Sequence, residues 1–286
     1  MRKGKAAVLC ACLGLTAFAG HADDLRKQVV ASTLVTGTVK ISPEGKVDGY
    51  TIDQAAKLPP FVRDLLDKNI PTWTFERAMT LPVDITERMT IRLLAKAVDD
   101  KHDTISIVSA SFDDDFQSFD ETVKPDKQVQ PLYPGTSLGA GVSGTVYTLI
   151  LVGKDGHSEK AIAEQVNLRT AVPADAQERF RKDLGYAATK ALKAWTWHVP
   201  TSGKYANQSG WWVRVPVVFS GRVYGTPEPK QPGPGDWDVY IPGPRAAVTF
   251  GEAKPDAYAP ASDAMADGTV HLTDSSVKLT TPLGGS

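Results

Sequence analysis

Gly135-Thr-Ser137-Leu-Gly139 has the G-x-S-x-G spacing of a serine nucleophile. That chemistry needs a strand before the serine and a helix after it, so that a strained turn presents the hydroxyl to a histidine base. Here Tyr133-Pro134 comes before and Ala140-Gly141-Val-Ser-Gly144 comes after, and neither flank supplies the elbow. The alternative function this motif leaves open is a small exported serine hydrolase using Ser137 with His157 or His198. Gly139-Ala-Gly141-Val-Ser-Gly144 overlaps it with dinucleotide-loop spacing. Such a loop must follow a strand and open a helix whose N-terminus holds the pyrophosphate. This one opens a strand, so no nucleotide is expected. Asp113-Asp114-Asp115 lacks the glycine and distal glutamate of a calcium loop. His102, His157, His198 and His271 show no paired ligand spacing. The residues therefore predict no catalytic group, no cofactor and no metal.

The elements around these motifs are more informative. Thr145 to Val152 is almost wholly apolar or β-branched, and Asp155-Gly156 is a hairpin turn signal. A helix is expected from Asp175, with Glu178 completing a capping box. Phe180, Leu184, Ala188, Ala191, Leu192 and Trp195 recur near the helical period and mark its buried side. Trp195-Thr-Trp197 follows, and then a valine-rich strand, Trp212 to Phe219, with Val213, Val215, Val217 and Phe219 on one face. The order is strand, turn, strand, helix, strand. One helix on one face of a small antiparallel sheet satisfies it, which places the fold in the α+β class.

An earlier stretch repeats the pattern. Leu34 to Ile41 puts Val35, Val39 and Ile41 on one face, Glu44-Gly45 turns, and Val47 to Ile52 returns. Pro59-Pro60 opens a short helix carrying Phe61, Val62, Leu65 and Leu66, and Ile70-Pro71 stops it. Trp73-Thr-Phe75 then matches Trp195-Thr-Trp197, and Met89 to Ala95 is a strand. Gly37-Thr-Val39 and Gly144-Thr-Val146 hold the same place in each copy, so the chain reads as a degenerate tandem repeat. Thr104 to Phe112 adds a strand with Ile105, Ile107 and Ser109 on one side.

The Tyr133-Pro134 entry, Gly144-Thr-Val146, Asp155-Gly156, the helix running into Ala194-Trp195-Thr-Trp197 and the strand ending at Phe219 resemble the C-terminal domain of the TonB family, across residues 131–219 of the 286. The resemblance implies a periplasmic, non-catalytic domain that docks on outer-membrane receptors by pairing strands. The first copy departs from the family pattern in its shorter helix and its lack of a Tyr-Pro entry.

The N-terminus bears on compartment. Arg2, Lys3 and Lys5 precede an apolar run, Ala6 to Ala19, followed by the small-residue sites Ala17-Phe-Ala19 and Gly20-His-Ala22. This is the layout of a cleaved signal peptide, with an inner-membrane anchor as the alternative. Cys10 and Cys12 are the only two cysteines, and cleavage removes both. With 32 Lys+Arg against 33 Asp+Glu, the charge balance gives no footprint for nucleic acid. The expected organisation is a signal peptide (1–22), a degenerate TonB-like module (23–112), an acidic linker (113–130), a TonB C-terminal-like domain (131–221) and a largely disordered Pro/Gly-rich tail (222–286).

Expected partners are envelope proteins, outer-membrane receptors among them, engaged by strand pairing. Trp211 and Trp212 are adjacent in a strand and must face opposite ways, so one of them contacts either a partner or the tail. The valines of this strand bury one face, while Arg214 and Pro216 point the other way. Proline, which donates no backbone hydrogen bond, suits a sheet edge. The candidate partner-binding residues are therefore Trp211, Trp212, Arg214, Pro216 and Val218, with the island Trp237 to Ile241 as a competitor for the same edge.

Overall fold

A computed structural model describes residues 28–77, 82–98, 103–113, 118–220, 236–246, 264–266, 268–273 and 276–284. The expected signal peptide, His102, Asp114 and Asp115 lie outside the described residues. The fold is mixed α+β with antiparallel sheets. Among the described residues no helix is long and apolar enough to cross a membrane.

The chain opens with β1 (Val30–Ile41) and β2 (Val47–Ile52), followed by helix α1 (Pro60–Asn69) and the short β3 (Phe75–Arg77). Two long strands follow, β4 (Ile85–Ala97) and β5 (Asp103–Asp113). β1 lies at the centre, paired with β2 on one side and β4 on the other, and β5 extends the sheet beyond β4. Val35, Val39, Ile41, Met89, Ile91 and Leu93 line one face and bury Val62, Leu65 and Leu66 of α1. Pro60 stands at the first turn of α1, where its missing N–H costs nothing. Trp73, Phe75 and Phe112 close the core with edge-to-face ring contacts.

The second half begins with β6 (Lys124–Lys127) and the short helix α2 (Gly135–Gly139). Then come β7 (Gly144–Gly153), β8 (Ser158–Leu168), α3 (Ala174–Leu192), β9 (Thr196–His198) and β10 (Gly210–Phe219). β7 is central here, between β8 and β10, as β1 is between β2 and β4. Phe180, Leu184 and Ala188 of α3 pack on Val146 and Val166. Leu192 joins Trp195, Trp197, Trp211, Val213 and Val215 in a neighbouring cluster. The capping box expected at Asp175 does not form. The helix starts at Ala174 with Pro173 at the N-cap and no side-chain cap, so Asp175 lies inside the first turn rather than at the cap, and Glu178 pairs with Lys182 at 2.7 Å, one turn along.

The hairpin turns of the two halves are built alike. Gly45 (φ 79°) and Gly156 (φ 73°) have left-handed backbones. Gly45 O accepts from Phe75 N–H at 2.7 Å, and Gly156 O accepts from Trp197 N–H at 2.8 Å. A Cβ at Gly45 would stand 2.1 Å from Phe75 O, and one at Gly156 would stand 2.5 Å from Trp197 O. Glycine is thus required by conformation and by space at both turns.

Three expectations need correction. The alternation of β5 breaks at a bulge, where Leu93 faces Ile107 but Arg92 faces Ser109. The extra residue turns Ser109 to the face opposite Ile107. The stretch read as a linker contains β6, which pairs with β9, so the second unit begins before residue 131. The tail was expected to be largely disordered, yet its described parts form β11 (Asp238–Tyr240), β12 (His271–Leu272) and β13 (Val277–Leu279). These pair with β1, β10 and β3 respectively. Each piece buries only one or two side chains, such as Tyr240, Ile241 or Val277. Backbone bonds to waiting sheet edges order them, a driving force that composition does not register.

The two sheets meet on the faces turned away from their helices. Arg92 lies between Ile91 and Leu93 of the first core and so projects from the other side. Its Nη2 donates to Tyr147 Oη at 3.2 Å, and Tyr147 projects likewise from β7. β11 joins the units at one end, pairing with β1 while Ile241 bridges to Leu168 of β8.

Candidate strand-docking site

β10 is the strand that carries the expected docking residues. Its alternation places Trp211, Val213 and Val215 toward α3, and Trp211 Nε1 donates to Tyr205 O at 3.0 Å. Phe219 ends the strand against Tyr133, with ring centroids 5.3 Å apart, and Tyr133 Oη donates to Val142 O at 2.5 Å. Burial pushes the Tyr133 phenol above its usual value. The Tyr-Pro entry thus seals the end of the core.

The opposite parity holds Trp212, Arg214, Pro216 and Val218. Trp212 and Val218 are half-buried, whereas Pro216 is buried and Arg214 is 1 % exposed. Trp211 and Arg214 are therefore not accessible contact residues as expected from sequence. Trp211 belongs to the core, and Arg214 is buried on the opposite face of the sheet. Arg214 Nε donates to Glu164 Oε2 at 2.8 Å and its Nη2 to Glu164 Oε1 at 3.0 Å. Arg245 adds two more bonds to Glu164 Oε1, from its Nε at 3.1 Å and its Nη2 at 2.7 Å. Burial pushes the Glu164 carboxyl up, but the two arginines outweigh it and hold the group below the usual glutamate range. Sequence reasoning missed Glu164 and Arg245. The one available signal was Arg214 itself, a cation flanked by valines in a strand otherwise apolar.

The backbone of β10 decides what can dock there. Thr273 N–H donates to Trp212 O at 2.9 Å, on the side away from β7, while Thr148 Oγ1 donates to Val215 O at 2.6 Å on the β7 side. Even-numbered residues therefore aim their backbone groups outward. β12 covers that edge only at Val213 and Arg214. Next outward comes Pro216, which has no N–H, and then Val218. Among the described residues no strand pairs with β10 beyond Arg214. The tail does cover part of this edge, but through β12. The island Trp237 to Ile241 goes instead to β1 and β8.

The residues of the hydrolase alternative are not brought together. Ser137 is fully buried in α2, and its Oγ has no hydrogen-bond partner among the described residues. Ser137 O receives Val142 N–H beside the Gly144 end of β7. His157 O receives Gly153 N–H at the other end, and His157 bridges to Thr196 of β9. The intervening strand is roughly 30 Å long at about 3.3 Å per residue. His198 also lies on β9, 3.4 Å from Asp126. Among the described residues no group of His, Cys, Asp and Glu is placed to hold a metal ion.

No family model, no curated protein and no solved structure matches the chain.

Proposed function

We propose that the chain is an exported periplasmic protein built from two degenerate TonB-like modules, acting by protein–protein interaction. Its partners are envelope proteins, outer-membrane receptors among them, and they engage by adding a strand to the β10 edge. The shared strand order, with β1 and β7 central and a glycine turn bonded to a short strand after each helix, supports two copies of one module. The observation that carries the docking site is the outward backbone of Pro216 and Val218, beyond the reach of β12. An open edge pairs readily with a foreign strand, and Pro216 limits how far that pairing runs. A longer partner strand must displace β12.

The experiment is binding of extended receptor-derived peptides to full-length protein and to Thr273→Pro, which removes the N–H that reaches Trp212 O. The variant should bind more tightly, and amide exchange at Trp212 and Val218 should slow when peptide is added. If both proteins leave the Val218 amide unchanged at saturating peptide, β10 is not the docking strand. Export is checked by mass spectrometry of the periplasmic fraction, which should find a chain beginning at Gly20 or Asp23. A chain retaining Met1 in the inner membrane would replace the secreted form with an anchored one.

A further inference from the structure

β9 in the second unit has a neighbour on each side. Gly156 O receives Trp197 N–H on one side, and β6 pairs along the other, with Lys127 N–H donating to Thr196 Oγ1 at 3.2 Å. β6 opens that unit, well ahead of β9, Lys127 and Thr196 being 69 residues apart. β3 holds the same place in the first unit, with Gly45 O on one side. Its other side is covered by β13, where Val277 faces Arg77, Lys278 faces Glu76 and Leu279 faces Phe75. β13 arrives from about 200 residues further along, Thr74 and Thr281 being 207 residues apart.

Residues 276–284 are gripped as a bound peptide is gripped. Thr280 N–H donates to Thr74 O at 2.8 Å, and Ile107 N–H donates to Gly284 O at 3.2 Å. Thr74 N–H donates to Thr281 Oγ1 at 2.8 Å, and Ser276 Oγ donates to the buried carboxylate of Glu87 at 2.6 Å. Val277 enters the first core, and Leu279 and Leu283 pack against it. Main-chain pairing supplies affinity in such contacts, and alternate side chains supply selectivity.

We infer that the β3 edge is a strand-accepting site, that residues 276–284 are its resident occupant, and that an extended segment of a partner protein with the same pattern takes their place. The segment it fits carries a β-branched residue at the position of Val277 and a cation opposite Glu76. It then needs an apolar residue at the position of Leu279 and hydroxyl residues at those of Thr280 and Thr281. This site is separate from the β10 edge and stands whether or not that edge docks a partner. A tethered occupant acts at an effective concentration on the order of millimolar, so the site opens only when the resident strand is loosened.

The test uses full-length Val277→Asp, and Thr280→Pro as a second variant that removes the bond to Thr74 O. The probe is a labelled peptide of the sequence Ser276 to Gly284. Both variants should keep the wild-type far-UV spectrum and exchange the Glu76 amide faster. They should bind the peptide at least about tenfold more tightly than wild type, the tethered competitor having been weakened. Added peptide should restore Glu76 protection, and a peptide carrying Asp in place of Val277 should not bind. Loss of cooperative folding in both variants without rescue by peptide would make β13 an integral strand and overturn the proposal. Unchanged Glu76 protection in two folded variants, or equal peptide binding by wild type, would overturn it as well.

Discussion

Arg214 and Glu164 join the outer strands of the second unit across the face of β7, through two hydrogen bonds of 2.8 and 3.0 Å, with side chains 1 % and 2 % exposed. Pairs of this kind are costly to break singly. Removing one partner leaves an uncompensated charge, a loss of roughly 3–5 kcal/mol. Arg214→Ala should fall toward the lower end of that range, since Arg245 still reaches Glu164. The double replacement Arg214→Met with Glu164→Leu should lie within about 2 kcal/mol of wild type, because an apolar pair needs no charge compensation and Arg245, 40 % exposed, keeps its contact with water. Urea denaturation of the three proteins measures both. Equal losses in the single and double variants would show that the ion pair is not what holds these strands.

The same pair sets an acid limit. The folded-state pKa of Glu164 lies below its unfolded value near 4.5. The unfolded chain therefore takes up the proton first, and the stabilisation is complete above that value. It fades as pH falls through the folded pKa. Unfolding free energies from about pH 6 to about pH 3 should drop steeply for wild type below about pH 4.5, and less steeply for Glu164→Gln. Parallel profiles would assign the acid sensitivity to other carboxylates, such as Asp53, whose pKa is also lowered.

Gly45 and Gly156 do the same work in separate units, so their alanine variants should behave alike. A left-handed backbone alone costs an alanine about 1–2 kcal/mol, and each new Cβ also meets a carbonyl oxygen at 2.1 or 2.5 Å. Gly45→Ala and Gly156→Ala should each lose more than that in thermal or chemical melts. Gly135→Ala, where nothing lies within 4 Å and φ is not positive, serves as the neutral control. A small effect at either turn would show that its short strand moves aside freely.

Long alternating segments were legible from sequence, as were helices α1 and α3, because each carries its own period; the five-residue α2 is too short to show one. Val35, Val39 and Ile41 lie in the first core as read, and Trp195 packs at its helix end, with Nε1 donating to Val129 O. What escaped depends on partners far along the chain. β12 has two residues and β13 has three, too few for any periodicity, and each is a strand only because β10 and β3 present edges. Arg214 read as outward-facing, yet its side chain is 1 % exposed and bonded to Glu164 of the same sheet, which no local window contains. Of the candidate site, the opposite orientations of Trp211 and Trp212 were legible. The loss of Arg214 to a buried ion pair was not, since its partner is 50 residues away.

The pairing of β3 with β13 also has a consequence in time. A ribosome adds about 5–20 residues per second, so β3 emerges on the order of ten to forty seconds before the strand that covers it. Throughout that interval the first unit has Trp73 and Phe75 in place but lacks Val277 and the backbone bond to Thr74. Contacts of such long sequence separation form late. The nascent chain therefore exposes an unpaired edge during synthesis, a vulnerability that a holding chaperone or uninterrupted elongation would have to bridge.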